Sequence, residues 1–329
     1  MIGVLRDLRH ALIMGIALPA MMLSMSAGLS EWSEKEMPEF RSAEGETMGV
    51  SVSKEAETRI LLRDEKGNVA PMALEAYLVG AVLGVMPASF EEEALKAQSV
   101  AARTYALKNR QTGGKHGDGS VCVNAGCCQA YCDKSAYLRR GGTESGIEKV
   151  MMAVENTEGL VLTYDGALID ATYFACSGGR TENAAEVWGV DFPYLRATDS
   201  PGEEAAAYYQ DSKWISFQDL QTVLKLGEEE TAGEWIGEVT RTSGGGIATM
   251  EIRGRIFTGT ELRRVLGLRS TFFSAEVSEG GIRFDTKGYG HRVGMSQYGA
   301  NAMALAGSTY PEILEHYYPG TALQKYIEN

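Results

Sequence analysis

Hydrophobic and polar positions divide the chain into an apolar N-terminal segment and a mixed remainder. Residues 11–29 carry no charge; two arginines precede them, and glutamates follow from Glu31. As a helix these residues would rise about 28 Å, close to the thickness of a bilayer's hydrocarbon core. Basic residues on the N-terminal side orient that end toward the cytoplasm. We predict that residues 1–30 form a single-pass membrane anchor. A cleaved signal peptide is the alternative, because Ser24–Ala27 offers small residues at a cleavage site.

Strand-like and helix-like patterns alternate in the next part of the chain. The residues Arg59–Arg63 are typical of a short strand, and the apolar stretch Pro71–Leu83 predicts a helix. The clearest helix extends to about Asn109, because Ser89 can cap it and Glu92 completes a capping box. Alanines along this helix leave one side narrow enough for another element to pack closely.

Later elements predict a second lobe. Further strands are predicted at Val150–Val154, Leu160–Tyr164 and Ile169–Phe174. From about residue 195 the pattern changes, with helices at Ser216–Leu226 and Thr260–Leu266, a strand at Ala248–Ile252 and a glycine turn at Ser243–Gly246.

These elements predict an α+β fold with a mixed core and a smaller inserted lobe. A polar linker, residues 31–55, precedes the core, whose first part is 56–194 and includes a Cys-rich loop. The inserted second lobe is 195–280, and the C-terminal part of the core is 281–329. A short strand at Ile282–Phe284 would mark the return to the core.

Charge narrows the class of partner. The 329 residues carry a formal net charge of −13, from 31 basic and 44 acidic side chains. Phosphate backbones are bound by basic stripes, and none is present, so nucleic acid is excluded as the main partner.

One loop has the composition of a metal site. His116, Cys122 and Cys128 follow a His-x5-Cys-x5-Cys spacing that can place one imidazole and two thiolates around a tetrahedral Zn²⁺ ion. Three protein ligands would leave a fourth position open. Disulfides are the alternative, since cysteines oxidise outside the cytoplasm, but the chain has 5 cysteines, which leaves at least one unpaired.

Two glycine-containing segments are candidate ligand-binding edges. Gly288–Asn301 places His291, Ser296 and Gln297 among glycines that let the backbone approach a ligand. Ser177–Gly179 (Ser177, Gly178 and Gly179) follows a predicted strand and could present backbone N–H groups and a hydroxyl. Tight turns and ordinary core packing remain the alternatives for both segments and for the tyrosines near them.

Together these segments resemble the stage II sporulation protein D family and the related amidase enhancers, over roughly residues 57–325. The segments that carry the resemblance are Met86–Phe90, Glu93–Gln98, Ala101–Tyr105, Ser177–Asn183 with Trp188, and Gly290–Gly299. The resemblance implies a membrane-anchored protein facing the cell wall, a peptidoglycan lytic transglycosylase acting in forespore engulfment. It implies glycan strands, a stage II amidase and membrane proteins as partners, and Zn²⁺ at His116, Cys122 and Cys128.

One position departs from the family. The family's catalytic glutamate immediately precedes Met-Pro-Ala, and here that position is Val85. Transglycosylation needs a carboxylic acid to protonate the glycosidic oxygen, after which the sugar's own 6-hydroxyl attacks. Valine has no proton to donate. Glu93 is a weak substitute; other nearby acids are Glu75, Glu91 and Glu92.

The sequence therefore leaves two functions open. The first is a lytic transglycosylase that uses another acid or a metal-bound water. The second is a glycan-binding scaffold or amidase enhancer that keeps the cleft formed by Ser177–Gly179, His291, Ser296 and Gln297 without its acid.

Overall fold

The computed structural model describes residues 58–227 and 234–328. The membrane anchor and linker predicted for residues 1–55 lie outside this part of the chain. Within the described ranges, no helix is both long and apolar enough to cross a bilayer.

The predicted α+β class is confirmed. The helices are α1 (Leu74–Val85), α2 (Glu92–Thr112), α3 (Lys134–Arg139), α4 (Glu144–Glu155), α5 (Ala184–Trp188), α6 (Phe217–Leu224), α7 (Gly259–Leu266), α8 (Gln297–Leu305) and α9 (Tyr310–Tyr317). The strands are β1 (Arg59–Arg63), β2 (Val69–Ala73), β3 (Val121–Cys122), β4 (Leu160–Tyr164), β5 (Ala167–Leu168), β6 (Tyr173–Phe174), β7 (Gln210–Ser216), β8 (Ile236–Arg241), β9 (Ile247–Ile252), β10 (Arg255–Thr258), β11 (Phe273–Ser278), β12 (Gly281–Lys287), β13 (Met295–Ser296) and β14 (Ala322–Lys325).

Helix α2 is the centre of the core. Its alanines Ala94, Ala97, Ala101 and Ala102 are fully buried, and α1, α4, α8 and β4 pack against it. The predicted close approach on its narrow side is confirmed. Three small sheets surround the helices, with strand orders β2-β1-β3, β14-β4-β5 and β13-β6.

Two predicted helix starts are wrong. Pro71 lies in the edge strand β2, opposite Leu61 of β1, and α1 begins only at Leu74. An edge strand tolerates proline, which has no N–H, because an outward-facing position needs no donor for strand pairing. The capping box at Ser89 is also wrong: Phe90 N–H donates to the Pro87 carbonyl in a turn, and α2 begins at Glu92 without a side-chain cap.

The strand predicted at Val150–Val154 is wrong as well. These residues belong to α4, where Thr143 caps the first turn by accepting from Gly146 N–H at 3.1 Å. Buried Ile147, Val150 and Val154 recur at helical spacing. Leu160–Tyr164 is confirmed as β4, whereas only Tyr173–Phe174 of the predicted strand Ile169–Phe174 forms a strand, parallel to β13.

The inserted lobe has its own core. Its sheets have strand orders β10-β9-β8 and β11-β12-β7, and α6 and α7 pack with them. Buried Leu220, Phe257, Phe273 and Phe284 belong to one apolar cluster. Helices α6 and α7 and strand β9 confirm the elements predicted there.

The strand expected to mark the return to the core pairs with strands of the lobe. The strand at Ile282–Phe284 forms as part of β12, but it pairs with β7 and β11 of the lobe. At the other end, Leu195 is fully buried in the core cluster. The apolar cluster of the lobe includes buried residues from Leu220 to Phe284.

Candidate functional site

Four side chains converge on one point in the Cys-rich loop. His116 ends a short 3-10 turn after α2, and Cys122 ends β3, held opposite Arg63 of β1. Cys127 and Cys128 lie in a turn in which both N–H groups donate to the Asn124 carbonyl, at 3.0 and 2.9 Å. One ligand atom from each of His116, Cys122, Cys127 and Cys128 lies within 4.8 Å of the others.

The spacing within this cluster suits a tetrahedral ion. His116 Nε2 lies 3.7 Å from Cys127 Sγ and 3.5 Å from Cys128 Sγ, and the two sulfurs are 3.9 Å apart. Bonds of about 2.3 Å to sulfur and about 2.0 Å to nitrogen give tetrahedral edges of roughly 3.5–3.8 Å. The cluster could therefore hold a metal ion. It also contains Cys127, which the sequence analysis did not place at the metal.

The predicted alternative of disulfides is not formed. All of the cysteines are free thiols, and 3.9 Å between the Cys127 and Cys128 sulfurs far exceeds a disulfide of about 2.05 Å. Burial raises the pKa of Cys122, but hydrogen bonds from the Asn124 backbone and from His116 outweigh it and lower that pKa to about 7. Burial raises the pKa of Cys128 to about 12. One thiolate therefore forms readily beside the imidazole.

A buried carboxylate organises the Ser177–Gly179 loop. Glu203 is 1% exposed, and its Oε2 accepts from Ser177 Oγ at 2.6 Å, Gly178 N–H at 2.9 Å and Gly179 N–H at 3.2 Å. These N–H groups point inward, to Glu203. What the loop offers a ligand is its outer backbone surface.

Glu203 also holds the second glycine segment. Ser296 Oγ donates to Glu203 Oε1 while it caps α8 by accepting from Gly299 N–H at 3.3 Å. Ser200 Oγ donates to the same oxygen at 2.9 Å. The structure thus brings Ser177–Gly179 and Ser296 together around a residue that the sequence analysis missed, because Glu203 lies outside every recognised motif.

Gln297 lies in a polar layer inside the core. Its Nε2 donates to Gln98 Oε1 at 3.1 Å, and both side chains are buried. Gln129, adjacent to Cys128, accepts from Tyr77 O–H at 2.6 Å. Gln297 therefore serves to join α2 and α8, and Gln129 ties the Cys-rich loop to α1.

His291 is a neutral imidazole among aromatic rings. Its Nδ1 accepts from Val293 N–H at 3.2 Å, and its ring lies 5.5 Å from Phe174 and 5.3 Å from Trp188. Burial, followed by the charge of Arg263, lowers the pKa of His291 to about 4. Trp188 is 41% exposed, so this pair reaches the surface.

A row of aromatic rings connects the core to the start of the lobe. Centroid distances are 5.0 Å from Phe90 to Tyr298, 6.4 Å from Tyr298 to Tyr208 and 5.4 Å from Tyr208 to Tyr289. The three tyrosines are half-buried. Half-exposed rings in a row are a surface on which sugar rings can stack.

The family's acid position carries no polar group. Val85 is the last residue of α1 and packs, half-buried, against the core. Glu93, the weak substitute, binds Lys96 at 2.8 Å and accepts from Tyr310 N–H at 2.7 Å. Glu75 pairs with Arg103 at 2.6 Å.

The remaining two acids are at the N-terminus of α2. Glu92 binds Lys96 at 2.8 Å, and this bond lowers the pKa of Glu92. Glu91 is the exposed N-cap residue, and its N–H donates to Asn301.

Comparisons with known proteins identify relatives of the chain. A family described as "Stage II sporulation protein" matches residues 63–164. The chain is 36% identical to stage II sporulation protein D of Bacillus amyloliquefaciens, over 80% of this chain and 77% of that protein. It is 35% identical to stage II sporulation protein D of Bacillus subtilis, over 91% and 88%. It is 30% identical to an amidase enhancer of Bacillus subtilis, over 76% of this chain and 40% of that protein.

Proposed function

This chain belongs to the stage II sporulation protein D family, and from that premise we propose that it binds peptidoglycan glycan strands during sporulation without cleaving them. It would act as a scaffold or enhancer for an amidase that removes the peptide stems. The observation that carries the proposal is Val85, together with the engagement of Glu75, Glu92 and Glu93 in ion pairs, while Glu91 is exposed.

The carboxylates near Val85 are poorly suited to replace the missing general acid. A general acid must hold a proton near neutral pH, which requires burial away from cations. Glu75, Glu92 and Glu93 instead lie within 3 Å of cationic partners, at 2.6, 2.8 and 2.8 Å. General acid catalysis contributes about 10²–10⁴ in rate, so its loss leaves little turnover.

Glu203 is buried, but it is also unsuited to act as the general acid. Donors occupy both of its oxygens, among them four backbone or hydroxyl groups on Oε2 alone. Neither oxygen can present a proton to a ligand without breaking these bonds. Its position supports a structural role beneath the glycan-binding surface.

The binding surface itself is retained. The row Phe90–Tyr298–Tyr208–Tyr289 and the pair Trp188–His291 offer aromatic faces for sugar rings. We place the predicted site residues Ser177, Gly178, Gly179, His291, Ser296 and Gln297 in or directly beneath this surface.

We also propose that the cluster of His116, Cys122, Cys127 and Cys128 binds Zn²⁺, because thiolate and imidazole are ligands that zinc prefers. Bound there, the ion would crosslink the Cys-rich loop. Four protein ligands close the site, which favours a structural role over activation of water. The predicted single-pass anchor would place this assembly at the cell membrane, facing the wall.

The decisive experiment uses stem-free glycan strands and the solubilised full-length chain. We expect the strands to co-sediment with the protein, and mass spectrometry to find no anhydro-muramyl ends above buffer. The variant V85E should generate such ends. The variant V85Q should not, because glutamine matches glutamate in size but cannot donate an acidic proton. Anhydro ends released by the natural chain would refute the scaffold and favour the transglycosylase of its relatives. Strands that stay in the supernatant would refute glycan binding.

A further inference from the structure

Arg263 of the inserted lobe is fixed against the C-terminal glycine segment. Its Nε donates to the Arg269 carbonyl at 3.1 Å, and Gly290 N–H donates to the same oxygen at 3.1 Å. The guanidinium is therefore held beside the segment that contains Tyr289 and His291.

This guanidinium lacks a counterion. Among residues 58–227 and 234–328, Arg263 forms no ion pair, and its two Nη groups have no hydrogen-bond partner. The neighbouring Arg269 differs, because its Nε lies 3.2 Å from Asp211. Arg263 is half-buried, and that burial lowers its pKa. A partly desolvated cation without an acid costs stability, which a ligand anion can offset.

The groups around Arg263 suit an acidic sugar. His291 stays neutral there, with its pKa lowered to about 4 by burial and by the charges of Arg263 and Lys115. Tyr289 and Tyr208 lie 5.4 Å apart, and the Arg269 guanidinium lies 5.5 Å from the Tyr208 ring centre.

We propose that Arg263 is a specificity-determining residue that binds a carboxylate substituent of the glycan. Its two free Nη groups can grip a carboxylate bidentately, a geometry that lysine cannot reproduce. In peptidoglycan the carboxylate that fits is the lactyl group of a muramic residue, which is free only after the stem peptide has been removed. This inference rests on the proposed glycan binding.

The test compares two forms of one ligand. Stem-free strands are labelled at the reducing end, and half are treated with carbodiimide and methylamine to convert each carboxylate into a neutral amide. Affinities for the full-length chain are measured by fluorescence anisotropy. We expect the natural chain to prefer the carboxylate form by about tenfold or more, the range for a hydrogen-bonded charge pair.

Substitutions then test whether Arg263 causes the preference for the carboxylate form. R263Q should reduce the preference to about one, and R263K should restore only part of it. R264Q is the matched control: Arg264 is exposed on the same helix and should leave the preference unchanged.

Equal affinity of the natural chain for both forms would overturn the role of Arg263 and leave glycan binding intact. A preference that survives in R263Q would also overturn it. Failure to bind either form would refute the proposed function itself.

Discussion

Arg292 and Glu182 form an ion pair, 2.8 Å between Nη1 and Oε1, in which neither side chain is exposed. Arg292 also donates to the carbonyls of Ser177 at 2.7 Å and Gly244 at 2.7 Å. Since Gly244 belongs to the β8–β9 turn of the lobe, this one guanidinium joins the lobe to the core.

Removing one partner of this pair should strongly destabilise the protein. We expect E182A to lower the free energy of unfolding by about 3–5 kcal/mol, because it leaves a buried guanidinium without its counterion. Urea denaturation of the two proteins measures the difference. The control is D199A, which removes the exposed partner of Arg180 and should cost about 1 kcal/mol or less. Equal effects of the two substitutions would contradict the assigned importance of the buried pair.

Glu203 should be needed to order the Ser177–Gly179 loop. We expect E203Q to reduce stability by about 2–4 kcal/mol, because the new amide places N–H groups against donors that formerly bound a carboxylate. Hydrogen exchange at Gly178 and Gly179 should accelerate. E204Q changes the exposed neighbouring residue and should leave both readouts unchanged. Unaltered exchange in E203Q would show that the loop is held by other contacts.

Metal binding should depend on Cys127. The purified chain should carry about one zinc per molecule, and a chelator should lower its melting temperature. Substituting cobalt gives thiolate absorption bands whose intensity should fall in C127S. The control is C132S, since buried Cys132 lies in the same loop but outside the cluster. Unchanged affinity and absorption in C127S would exclude this cysteine as a ligand. A metal-free protein whose thiols react only after reduction would instead favour disulfides.

Stability should fall in acid partly through His291. Its pKa is about 4 in the folded chain and 6.5 ordinarily. The unfolded chain therefore binds the extra proton as pH falls from about 6.5 toward 4, and stability is lost in that window. The loss is at most about 3 kcal/mol and less where the ring meets solvent. Unfolding curves across this range should be flatter for H291Q than for the natural chain. Parallel pH profiles would show that the imidazole titrates normally.

Local patterns predicted those elements whose stabilisation is local. Caps and apolar spacing predict helices α6, capped by Ser216, and α7. The apolar pattern predicts strand β4. The helix at Val150–Val154 was not predicted, because an apolar run of five residues fits a strand and a buried helix face equally well. Tertiary packing of α4 decides that case.

The site was predictable only in part for a similar reason. Motif glycines and the His-x5-Cys-x5-Cys spacing are visible in the sequence. Glu203 and Arg263 acquire their roles from long-range contacts, with Ser296 and with the Arg269–Gly290 corner. No local pattern marks such residues.

The carboxylate of Glu203 orders the core just before the chain leaves it for the lobe, and Arg292 fastens the lobe to that ordered segment. Movement of the β8–β9 turn away from the core would break the bond from Arg292 to the Gly244 carbonyl, so this contact opposes hinge motion. The β8–β9 turn is therefore held against the core before any ligand binds. Such rigidity suits a component that holds polymer in place while another enzyme works on it.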